Sequence, residues 1–365
     1  MGIGKGTLED MGLEFYKNKK VLVTGHTGFK GTWFLHILKE AGADICGIAL
    51  KPETTPSLYE LSGIDPEIAS NISDIRDFER VRDIVKSFNP EIVFHLAAQP
   101  IVRTSYEKPR LTFETNVMGT VNILEAVREC ESVRSFLNVT TDKVYLNEDN
   151  DTAFREDMPL DGYDPYSNSK SCSELVTHSY TKSFFSNRET AISTARAGNV
   201  IGGGDFSKDR IIPDCARAAL NNEELIIRNP DSVRPFQHVL EPLFAYLLIA
   251  EKQYEDRKYA GYYNVGPELS DCVKTGELAG MFADAWKDGF KITVRPDGGP
   301  HEAGFLRLDC TKIKSTFGWK PVWDIKKAVS ETVNWFKAYK DGQDIREEMK
   351  REINKYIGEM KCLKI

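Results

Sequence analysis

Short apolar runs alternate with helix-length stretches along the first two thirds of this chain. A run at 21–23 is followed by an apolar helical stretch at 32–38. The same order repeats for predicted strands at 44–50, 71–77, 91–99, 133–141 and 190–196. Apolar strands separated by helical segments are typical of a parallel sheet that is covered on both faces. The pattern therefore predicts an α/β protein with a Rossmann-type doubly wound parallel sheet.

The alternation breaks after residue 197, where a glycine cluster at 202–204 is followed by mixed short strands and helices. An apolar helix at 240–251 and a strand at 262–265 are predicted to return to the main sheet. The expected division is a sheet domain formed by residues 1–196 and 235–266, and a smaller mixed α/β C-terminal domain formed by residues 197–234 and 267–365.

Three glycines follow the first predicted strand at regular spacing: Gly25, Gly28 and Gly31. Between a strand and a helix, such glycines permit a tight turn, close approach of the backbone to a pyrophosphate, and close helix–strand packing. The N–H groups at the helix start then face the phosphates. Glycine-rich turns are common, so the hypothesis of a dinucleotide site depends on this strand–helix context. The second strand ends near Leu50 and Lys51 without the acid that bonds an adenosine ribose, which leaves NAD and NADP both open.

Composition and charge narrow the kinds of partner. A hydrophobic content of 41% and a charged content of 28% are ordinary for a globular protein, and a net charge of -7 gives no reason to expect nucleic acid or an anionic membrane. No apolar run approaches the ~20 residues that span a bilayer, and the N-terminus lacks the apolar core of a signal peptide. Seven cysteines without a CxxC pair are typical of reduced thiols. We expect a cytoplasmic protein without a metal site.

Polar residues follow several strands at the sheet edge where α/β proteins bind ligands. Asp74 follows the third strand, either to accept a bond from an adenine amino group with Ile75 on the ring, or to cap the next helix. His95, in the apolar fourth strand, is expected to be a hydrogen-bonded core histidine. Asn116 lies inside a helix predicted at 112–129, where a polar task such as kinking the helix or binding water would explain it.

Two further groups are candidates for catalysis. Thr141, Asp142 and Lys143 follow the fifth strand, as a catalytic cluster or as a solvated salt pair. Tyr166 and Lys170 lie four residues apart at the start of a long predicted helix and so share a face. A cation beside a phenol favours the phenolate, which lowers the tyrosine pKa towards use as a general base. A lone YxxxK is often only a surface pair, but its position after a glycine turn and five strands is far more specific.

Taken in order, the motifs GHTGFKG, HLAAQ, TTDKVY, YSNSK and RAGNVIGGGD resemble the extended short-chain dehydrogenase/reductase family over nearly the whole chain. Within it, GHTGFKG in place of the commoner GGAGFIG, and RNPDSVRPFQHVLEP at 228–242, are most similar to the members that dehydrate CDP-glucose. The resemblance implies a nucleotide-sugar substrate, CDP-glucose, and a homodimer or higher homo-oligomer. It also implies NAD, because relatives in this subgroup likewise lack the acid after the second strand and are nevertheless NAD enzymes.

The resemblance implies oxidation of the sugar at C4, elimination of water across C5–C6 and return of the hydride to C6. Tyr166 would take the C4 hydroxyl proton, Thr141 would bond the same oxygen, and Lys170 would hold the nicotinamide ribose and keep Tyr166 acidic. Asp142 would be the acid at the C6 hydroxyl. The C5 base is a glutamate in thymidine-linked relatives, and Lys143 occupies that position here, so Lys143 is the hypothesised base.

The resemblance also assigns the binding residues. Those expected at the cofactor, besides Tyr166 and Lys170, are Gly25, Thr27, Gly28, Phe29, Lys30 and Gly31 at the pyrophosphate, Asp74 and Ile75 at the adenine, Leu96, Ala97, Ala98 and Gln99 on the nicotinamide side, Asn116, and Val200 near the carboxamide. Those expected at the substrate are Asn199, Arg210 and Arg234 at the diphosphate, with His301 and Glu302 closing the nucleotide pocket.

Three alternatives stay open. A dehydratase acting on an N-acetylhexosamine can carry the same Asp-Lys pair. A 4-epimerase shares the tyrosine and lysine but needs no acid and base for elimination, and Asp142 with Lys143 argues against it. A non-catalytic NAD-binding scaffold would not be expected to keep Thr141, Tyr166 and Lys170 together.

Overall fold

Seven parallel strands form one sheet in the computed structural model, which describes residues 13–148, 152–287, 291–295 and 304–363. These strands are β1 (Lys20–Thr24), β2 (Asp44–Ala49), β3 (Ala69–Ile72), β4 (Ile92–His95), β5 (Ser135–Val139), β6 (Ala191–Ala197) and β11 (Tyr262–Val265). Their order is β11-β6-β5-β4-β1-β2-β3, and Val21 of β1 pairs with Ile45 on one side and Ile92 on the other. The predicted doubly wound parallel sheet is confirmed, including the strand that returns to it late in the chain.

Helices cover both faces of the sheet. The helices in chain order are α1 (Phe29–Glu40), α2 (Leu58–Ser62), α3 (Phe78–Phe88), α4 (Val102–Glu107), α5 (Pro109–Phe113), α6 (Gly119–Arg128), α7 (Pro165–Phe184), α8 (Ile211–Asn221), α9 (Leu240–Glu255), α10 (Thr275–Trp286), α11 (Thr311–Phe317), α12 (Ile325–Lys340) and α13 (Ile345–Cys362). Side chains of a strand point alternately to the two faces. Accordingly Val21 and Val23 pack in one apolar core with α1 and α9, and Leu22 packs in a second core with α3 and α6.

Six short strands form pairs outside the main sheet. They are β7 (Val200–Ile201), β8 (Leu225–Ile227), β9 (Val233–Arg234), β10 (Gln237–His238), β12 (Val273–Lys274) and β13 (Ile292–Val294). The pairs β7–β10 and β8–β13 are parallel, and β9–β12 is antiparallel. The pairs β8–β13 and β9–β12 bring the segment after β6 together with the segment after β11, whereas β7–β10 lies within the segment after β6.

The C-terminal helix α13 packs against the start of the molecule. Its apolar face, which includes Met349, Ile353 and Tyr356, is buried in the same core as α1. Ion pairs join Lys350 to Glu40 of α1 and Arg346 to Glu67. Across the residues that the structure describes, no helix combines the length and apolar character needed to cross a bilayer.

The helix predicted at 112–129 is divided into α5, a π-helical turn at Glu114–Met118, and α6. A π turn inserts one extra residue and re-aims the side chains within it. Asn116 lies in this turn, and its amide group bonds outside the helix, as described below. The polar task expected of this residue is therefore seen in the geometry of the helix itself.

Candidate active site

A cavity of about 790 Å³ opens where the carboxyl ends of β1, β4, β5 and β6 meet the segment after β6. It is lined by all five candidate catalytic residues, by the glycine turn, by Asp74, Ile75, Val200 and residues 96–99, and by Asn199, Arg210 and Arg234. Asn116 does not line it. His301 and Glu302 lie outside the described residues. Almost all of the residues selected from the sequence thus surround one space, although they are spread over more than 200 positions.

The glycine turn is built by close backbone approach. Gly25 has a φ of 75°, in the left-handed region that favours glycine, and its N–H donates to the Ile48 carbonyl at 2.8 Å. A Cβ on Gly31 would lie 2.1 Å from the Gly25 oxygen, whereas one on Gly28 would have its nearest protein atom at 3.4 Å. Packing against other protein atoms therefore does not require glycine at position 28. The requirement comes from the cavity that Gly28 lines.

The turn leads into a helix start that faces the cavity. Gly28 is the N-cap of α1, and Phe29, Lys30 and Gly31 of its first turn line the cavity. The first N–H groups of any helix lack partners within it and favour an anion. A glycine cradle with free donors fits the pyrophosphate of a dinucleotide.

His95 is a core residue, as predicted. Its Nδ1 lies 2.8 Å from the Thr24 hydroxyl and its Nε2 lies 3.1 Å from the Thr120 hydroxyl. Burial and the positive charge of Lys170 lower the pKa of His95 to about 3, so the ring is neutral. The Thr24 hydroxyl also accepts the N–H groups of Leu96 and Ala97 at 3.1 Å, which fixes this loop against the cavity.

Asn116 positions the same loop from behind. Its Oδ1 accepts the Gln99 N–H at 2.8 Å, and its Nδ2 donates to the Gln99 carbonyl at 3.1 Å and to the Ser169 hydroxyl at 2.9 Å. The Gln99 side chain is itself bonded to Thr112 and to the Ile101 N–H. Asn116 therefore joins the loop after β4 to α7 without reaching the cavity.

Asp74 lines the cavity in an ion pair with Arg76. The guanidinium contacts Asp74 Oδ2 at 2.6 Å, and this contact lowers the pKa of the carboxyl group. The helix-capping interpretation of Asp74 is wrong, because the N-cap of α3 is Asp77, whose side chain accepts the Arg80 N–H at 3.1 Å. Ile75 is buried against Gly119, where a Cβ would lie 2.4 Å from Ile75 Cδ1.

Thr141, Asp142 and Lys143 form a short turn directly after β5. The Thr141 hydroxyl donates to Asp142 Oδ1 at 3.0 Å, and Lys143 Nζ donates to the same oxygen at 3.2 Å. Lys143 Nζ also donates to Asn199 Oδ1 at 3.2 Å. The other carboxylate oxygen, Asp142 Oδ2, is buried and has no hydrogen-bond partner in the part of the chain that the structure describes. The described protein groups thus leave this oxygen unsatisfied, in a residue that lines the cavity.

Tyr166 and Lys170 share the buried face of α7. Lys170 Nζ donates to the Val139 carbonyl at 3.1 Å. Burial lowers the pKa of Lys170 to about 8 and raises the pKa of Tyr166 to about 12, while the Thr141 hydroxyl and the charge of Arg210 oppose the rise. The prediction that Lys170 lowers the pKa of Tyr166 is wrong for this structure, because the penalty of burying the phenolate is larger than the effect of nearby cations.

Arg210 and Arg234, the two arginines selected from the sequence, both interact with other groups of the protein. Arg210 forms an ion pair with Asp205 at 3.4 Å. The buried Arg234 guanidinium donates to the Val233 carbonyl at 2.9 Å and to the Gly304 carbonyl at 3.3 Å. Both residues line the cavity.

Three arginines that line the cavity were not selected from the sequence: Arg76, whose pairing with Asp74 is described above, Arg103 and Arg228. Arg228 Nη1 donates to Asp209 Oδ1 at 2.6 Å, and Arg103 Nε lies 3.9 Å from the same oxygen. Arg228 belongs to the segment 228–242 and Arg103 follows the HLAAQ motif, so proximity to those motifs was the available signal. Among the described residues, no group of three or more potential ligands is arranged to hold a metal ion.

Comparison with known proteins agrees with this geometry. The family model described as GDP-mannose 4,6 dehydratase matches residues 22–332. A CDP-glucose 4,6-dehydratase of Salmonella typhimurium is 45% identical over 350 residues, which cover 94% of this chain and 98% of that protein.

Two solved structures are similar in fold. The Thermus thermophilus UDP-glucose 4-epimerase in complex with NAD has a TM-score of 0.76 at 24% identity, and the match covers 87% of this chain and 99% of that one. The Bacillus anthracis dTDP-glucose 4,6-dehydratase in complex with NAD has a TM-score of 0.75 at 22% identity, with 89% and 98% covered. At these identities the likeness concerns the fold.

Proposed function

This chain belongs to the GDP-mannose 4,6 dehydratase family, within the extended short-chain dehydrogenases/reductases, and from that membership we propose that it is a CDP-glucose 4,6-dehydratase. It converts CDP-D-glucose to CDP-4-keto-6-deoxy-D-glucose, and is thus an NAD-dependent hydro-lyase. The choice of CDP-glucose is supported by the 45% identity to the Salmonella typhimurium enzyme of that name over nearly both chains. The observation that carries the reaction is the meeting of Tyr166, Lys170, Thr141 and Asp142 in one cavity beside the glycine cradle.

The fit of the cofactor is supported by the glycine turn and the helix start behind it. When bound, NAD supplies the acceptor and later the donor of the sugar's hydride. The residues proposed to hold it come from the turn at 25–31 and the loop at 96–99, with Lys170 beside the nicotinamide ribose. We further propose that residues 1–196 and 235–266 bind NAD, that residues 197–234 and 267–365 bind the nucleotide sugar, and that the protein is a homo-oligomer.

Oxidation at C4 requires a group that removes the hydroxyl proton. Tyr166 is proposed for this role, with the Thr141 hydroxyl bonding the same sugar oxygen. Because burial raises the pKa of Tyr166 to about 12, the ligand-free protein keeps the phenol protonated. Positive charges that line the cavity, such as Arg210, favour the phenolate and so assist proton removal.

Elimination across C5–C6 requires a base and an acid in the same site. In the structure Lys143 Nζ lies 3.2 Å from Asp142 Oδ1, and both residues line the cavity. Lys143 is proposed as the base that takes the C5 proton, a role that requires its neutral amine. Asp142 is proposed as the acid that protonates the C6 hydroxyl, which leaves as water, a role that requires its carboxylic acid form.

The proposed function is tested by incubating the purified protein with NAD and, separately, CDP-glucose, dTDP-glucose, UDP-glucose and UDP-N-acetylglucosamine. NMR then follows the sugar. A new C6 methyl doublet with CDP-glucose alone is the expected result. A methyl signal with another nucleotide sugar keeps the reaction and overturns the substrate. Inversion at C4 without a methyl signal indicates a 4-epimerase, and no change with any sugar overturns catalysis.

A further inference from the structure

His95, the last residue of β4, has an almost fully buried imidazole whose two nitrogens each contact a hydroxyl group. Nδ1 lies 2.8 Å from Thr24 Oγ1, and Nε2 lies 3.1 Å from Thr120 Oγ1 of α6. The ring also stacks on Phe136, at a centroid distance of 6.5 Å. None of these four residues lines the cavity. Packing on Phe136 does not require a nitrogen in the ring, so the two hydroxyl contacts are the feature that distinguishes histidine here.

The Thr24 hydroxyl determines which nitrogen on its side of the ring carries a proton. A hydroxyl has one hydrogen and two acceptor lone pairs. Thr24 Oγ1 accepts the N–H groups of Leu96 and Ala97, each at 3.1 Å, and these two bonds use both lone pairs. The hydroxyl hydrogen is therefore donated to His95 Nδ1, which must be the unprotonated nitrogen.

The Thr120 hydroxyl leads independently to the same tautomer. It donates its hydrogen to the Asn116 carbonyl at 2.7 Å, so it can only accept from His95 Nε2, which must carry the proton. The second lone pair of Thr120 is available to the Ser173 hydroxyl, which lies 3.0 Å away. A ring protonated on both nitrogens would leave Nδ1–H facing a hydroxyl whose lone pairs are already used. Burial likewise holds the pKa of His95 at about 3.

Both hydroxyls connect the His95 ring to the loop after β4, which lines the cavity. On one side, the Thr24 hydroxyl accepts the N–H groups of the first two loop residues. On the other side, Thr120 bonds the backbone of Asn116, whose side chain bonds the Gln99 N–H at 2.8 Å and the Gln99 carbonyl at 3.1 Å. Asn116 also donates to Ser169 of α7 at 2.9 Å. One imidazole thus links both ends of the loop to the helix that carries the proposed catalytic tyrosine.

We propose that His95 is a positioning residue for the loop 96–99, and that it acts in its Nε2–H tautomer through Thr24 and Thr120. The inference rests on the proposed function for the identity of the ligand, because this loop is proposed to lie on the nicotinamide side of NAD. His95 itself lies outside the cavity, so its effect on binding is indirect. With the proton on Nδ1, the Thr24 hydroxyl would have to release one loop N–H group, and the loop would lose a support.

NMR of the ligand-free protein with ¹⁵N-labelled histidine tests the tautomer without any activity. Two-bond ¹H–¹⁵N spectra distinguish a protonated from an unprotonated ring nitrogen. The signal that is missing from His95→Phe or His95→Asn identifies His95 among the six histidines of the chain. The expected result at pH 7 is a proton on Nε2 and none on Nδ1. A proton on Nδ1, or on both nitrogens, overturns the proposal.

Substitutions at Thr24 test the positioning. Thr24→Val keeps the shape of the side chain but leaves the N–H groups of Leu96 and Ala97 without their acceptor. Hydrogen exchange of the loop in the ligand-free protein, followed by mass spectrometry, is expected to become faster. The dissociation constant for NAD, measured by calorimetry, is expected to rise about tenfold. Thr24→Ser keeps the hydroxyl and is expected to restore both properties.

Thr177→Val is the matched control. It removes a buried hydroxyl of α7 that accepts from Asn138 Nδ2 at 2.9 Å and has no contact with the loop. It is expected to leave loop exchange and NAD affinity unchanged, although it lowers stability. Changes in Thr177→Val equal to those in Thr24→Val would mean that loss of any buried hydroxyl produces them, which overturns the proposal.

His95→Phe removes both contacts and keeps a ring against Phe136, so it is expected to show the same changes as Thr24→Val. Unchanged loop exchange and NAD affinity in Thr24→Val would reduce His95 to a core residue and overturn the proposal. Urea unfolding checks the fold of each variant, and the two Thr24 variants decide the matter if His95→Phe does not fold. Failure of NAD to bind the unmodified protein counts against the proposed function instead, and the tautomer and exchange measurements still test the positioning.

Discussion

At the scale of single residues, the contact between Lys143 and Asp142 places the two groups proposed for the elimination step side by side. Lys143→Met removes the proposed base and keeps the length of the side chain. C4 oxidation is expected to continue in part, because Tyr166, Thr141 and Lys170 are unchanged, while dehydration is lost by a factor of about 10²–10⁴, the usual contribution of a general base. Absorbance of the reduced nicotinamide measures the first step, and the C6 methyl signal measures the second.

Full dehydratase activity in Lys143→Met would contradict the assignment of the base. Asp142→Asn is the matched variant on the acid side. It keeps the size of the side chain and is expected to show the same division between the two steps, because an amide cannot protonate the leaving hydroxyl.

Residue spacing predicts which side chains of the site lie close together, but it does not predict their pKa values. The YxxxK spacing correctly brought Tyr166 and Lys170 into one site, because residues four apart share a helix face. The direction of the tyrosine pKa was wrong, since it depends on burial of the phenol by segments distant in sequence. Asp74 was wrongly considered as the cap of α3. The residue that caps this helix is Asp77, three positions later, which has the same side chain.

At the scale of elements, Gly28 and Gly31, two of the three glycines between β1 and the first turn of α1, are required for different reasons. Gly31→Ala would place a Cβ 2.1 Å from the Gly25 oxygen, which is backbone and cannot move aside. The free energy of unfolding is expected to fall by about 1–3 kcal/mol, as for an overpacked core. Gly28→Ala, with its nearest atom at 3.4 Å, is expected to change stability by less than about 0.5 kcal/mol.

The two glycine variants should separate in the opposite way for ligand binding. Gly28→Ala projects a methyl group towards the proposed pyrophosphate site, so its affinity for NAD is expected to fall although it folds normally. Urea unfolding and NAD titration measure the two effects. Equal stability of the two variants would show that the turn relaxes around Gly31.

Helix α7 is buried largely through polar side chains, which is why apolar periodicity alone does not reveal its burial. Its inward face contains Ser169, Ser173 and Glu174, each hydrogen-bonded to a neighbouring element. Glu174 forms an ion pair with Arg196 of β6 at 3.0 Å, and both side chains are almost fully buried. This network holds the helix that carries Tyr166 and Lys170 against the sheet.

Arg196→Met tests that network. It leaves the buried Glu174 carboxylate without its cation, and the free energy of unfolding is expected to fall by about 3–5 kcal/mol. Denaturant unfolding measures the change. The double variant Arg196→Met with Glu174→Gln is expected to recover part of the loss, because the uncompensated charge is gone. A double variant less stable than Arg196→Met would mean that the hydrogen bonds of Glu174 matter more than its charge.

At the scale of the whole molecule, Glu241 joins α9 to two distant segments, residues 322–323 and the middle of α13. Its carboxylate accepts the Trp323 N–H at 2.7 Å, the Val322 N–H at 3.0 Å and the Tyr356 hydroxyl at 2.8 Å. Burial raises the pKa of Glu241 to about 7, against these bonds, which lower it. The segment before α12 and the middle of α13 are thus both hydrogen-bonded to α9, a helix that packs on the sheet.

The raised pKa of Glu241 makes stability depend on pH. Between pH 4.5, the ordinary pKa of a glutamate, and pH 7, the folded protein holds a proton that the unfolded chain has lost. Rising pH therefore lowers the free energy of unfolding through this group, by about 3 kcal/mol over the whole window. Glu241→Gln cannot titrate, so its stability relative to the unmodified protein is expected to improve from pH 4.5 to pH 7.5. A constant difference in urea unfolding would contradict this.

The sheet and its order of elements were predictable because most of its strands are marked by local apolar residues. The exception is β3, which was predicted at 71–77 and lies at Ala69–Ile72, where the side chains are partly or fully exposed. The links made by Glu241 were not predictable, since they join residues 81 to 115 positions apart and no local pattern encodes such a contact. The pairing of Arg228 and Arg103 through Asp209 is of the same kind. The order of the motifs predicted which residues form the site. The ion pairs and pKa shifts within the site depend on tertiary packing.

Because β11 pairs with β6 at one edge of the sheet, that edge is completed late in the synthesis of the chain. β6 is followed by more than sixty residues before β11 arrives to pair with it, from Tyr262 alongside Thr194 to Val265 alongside Ala197. Tyr16, near the start, donates its hydroxyl to the Leu247 carbonyl. During synthesis on the ribosome, β6 therefore remains an open sheet edge, and an open edge is a template for association with other chains. We expect a chaperone to bind the growing polypeptide until residue 265 has left the ribosomal exit tunnel.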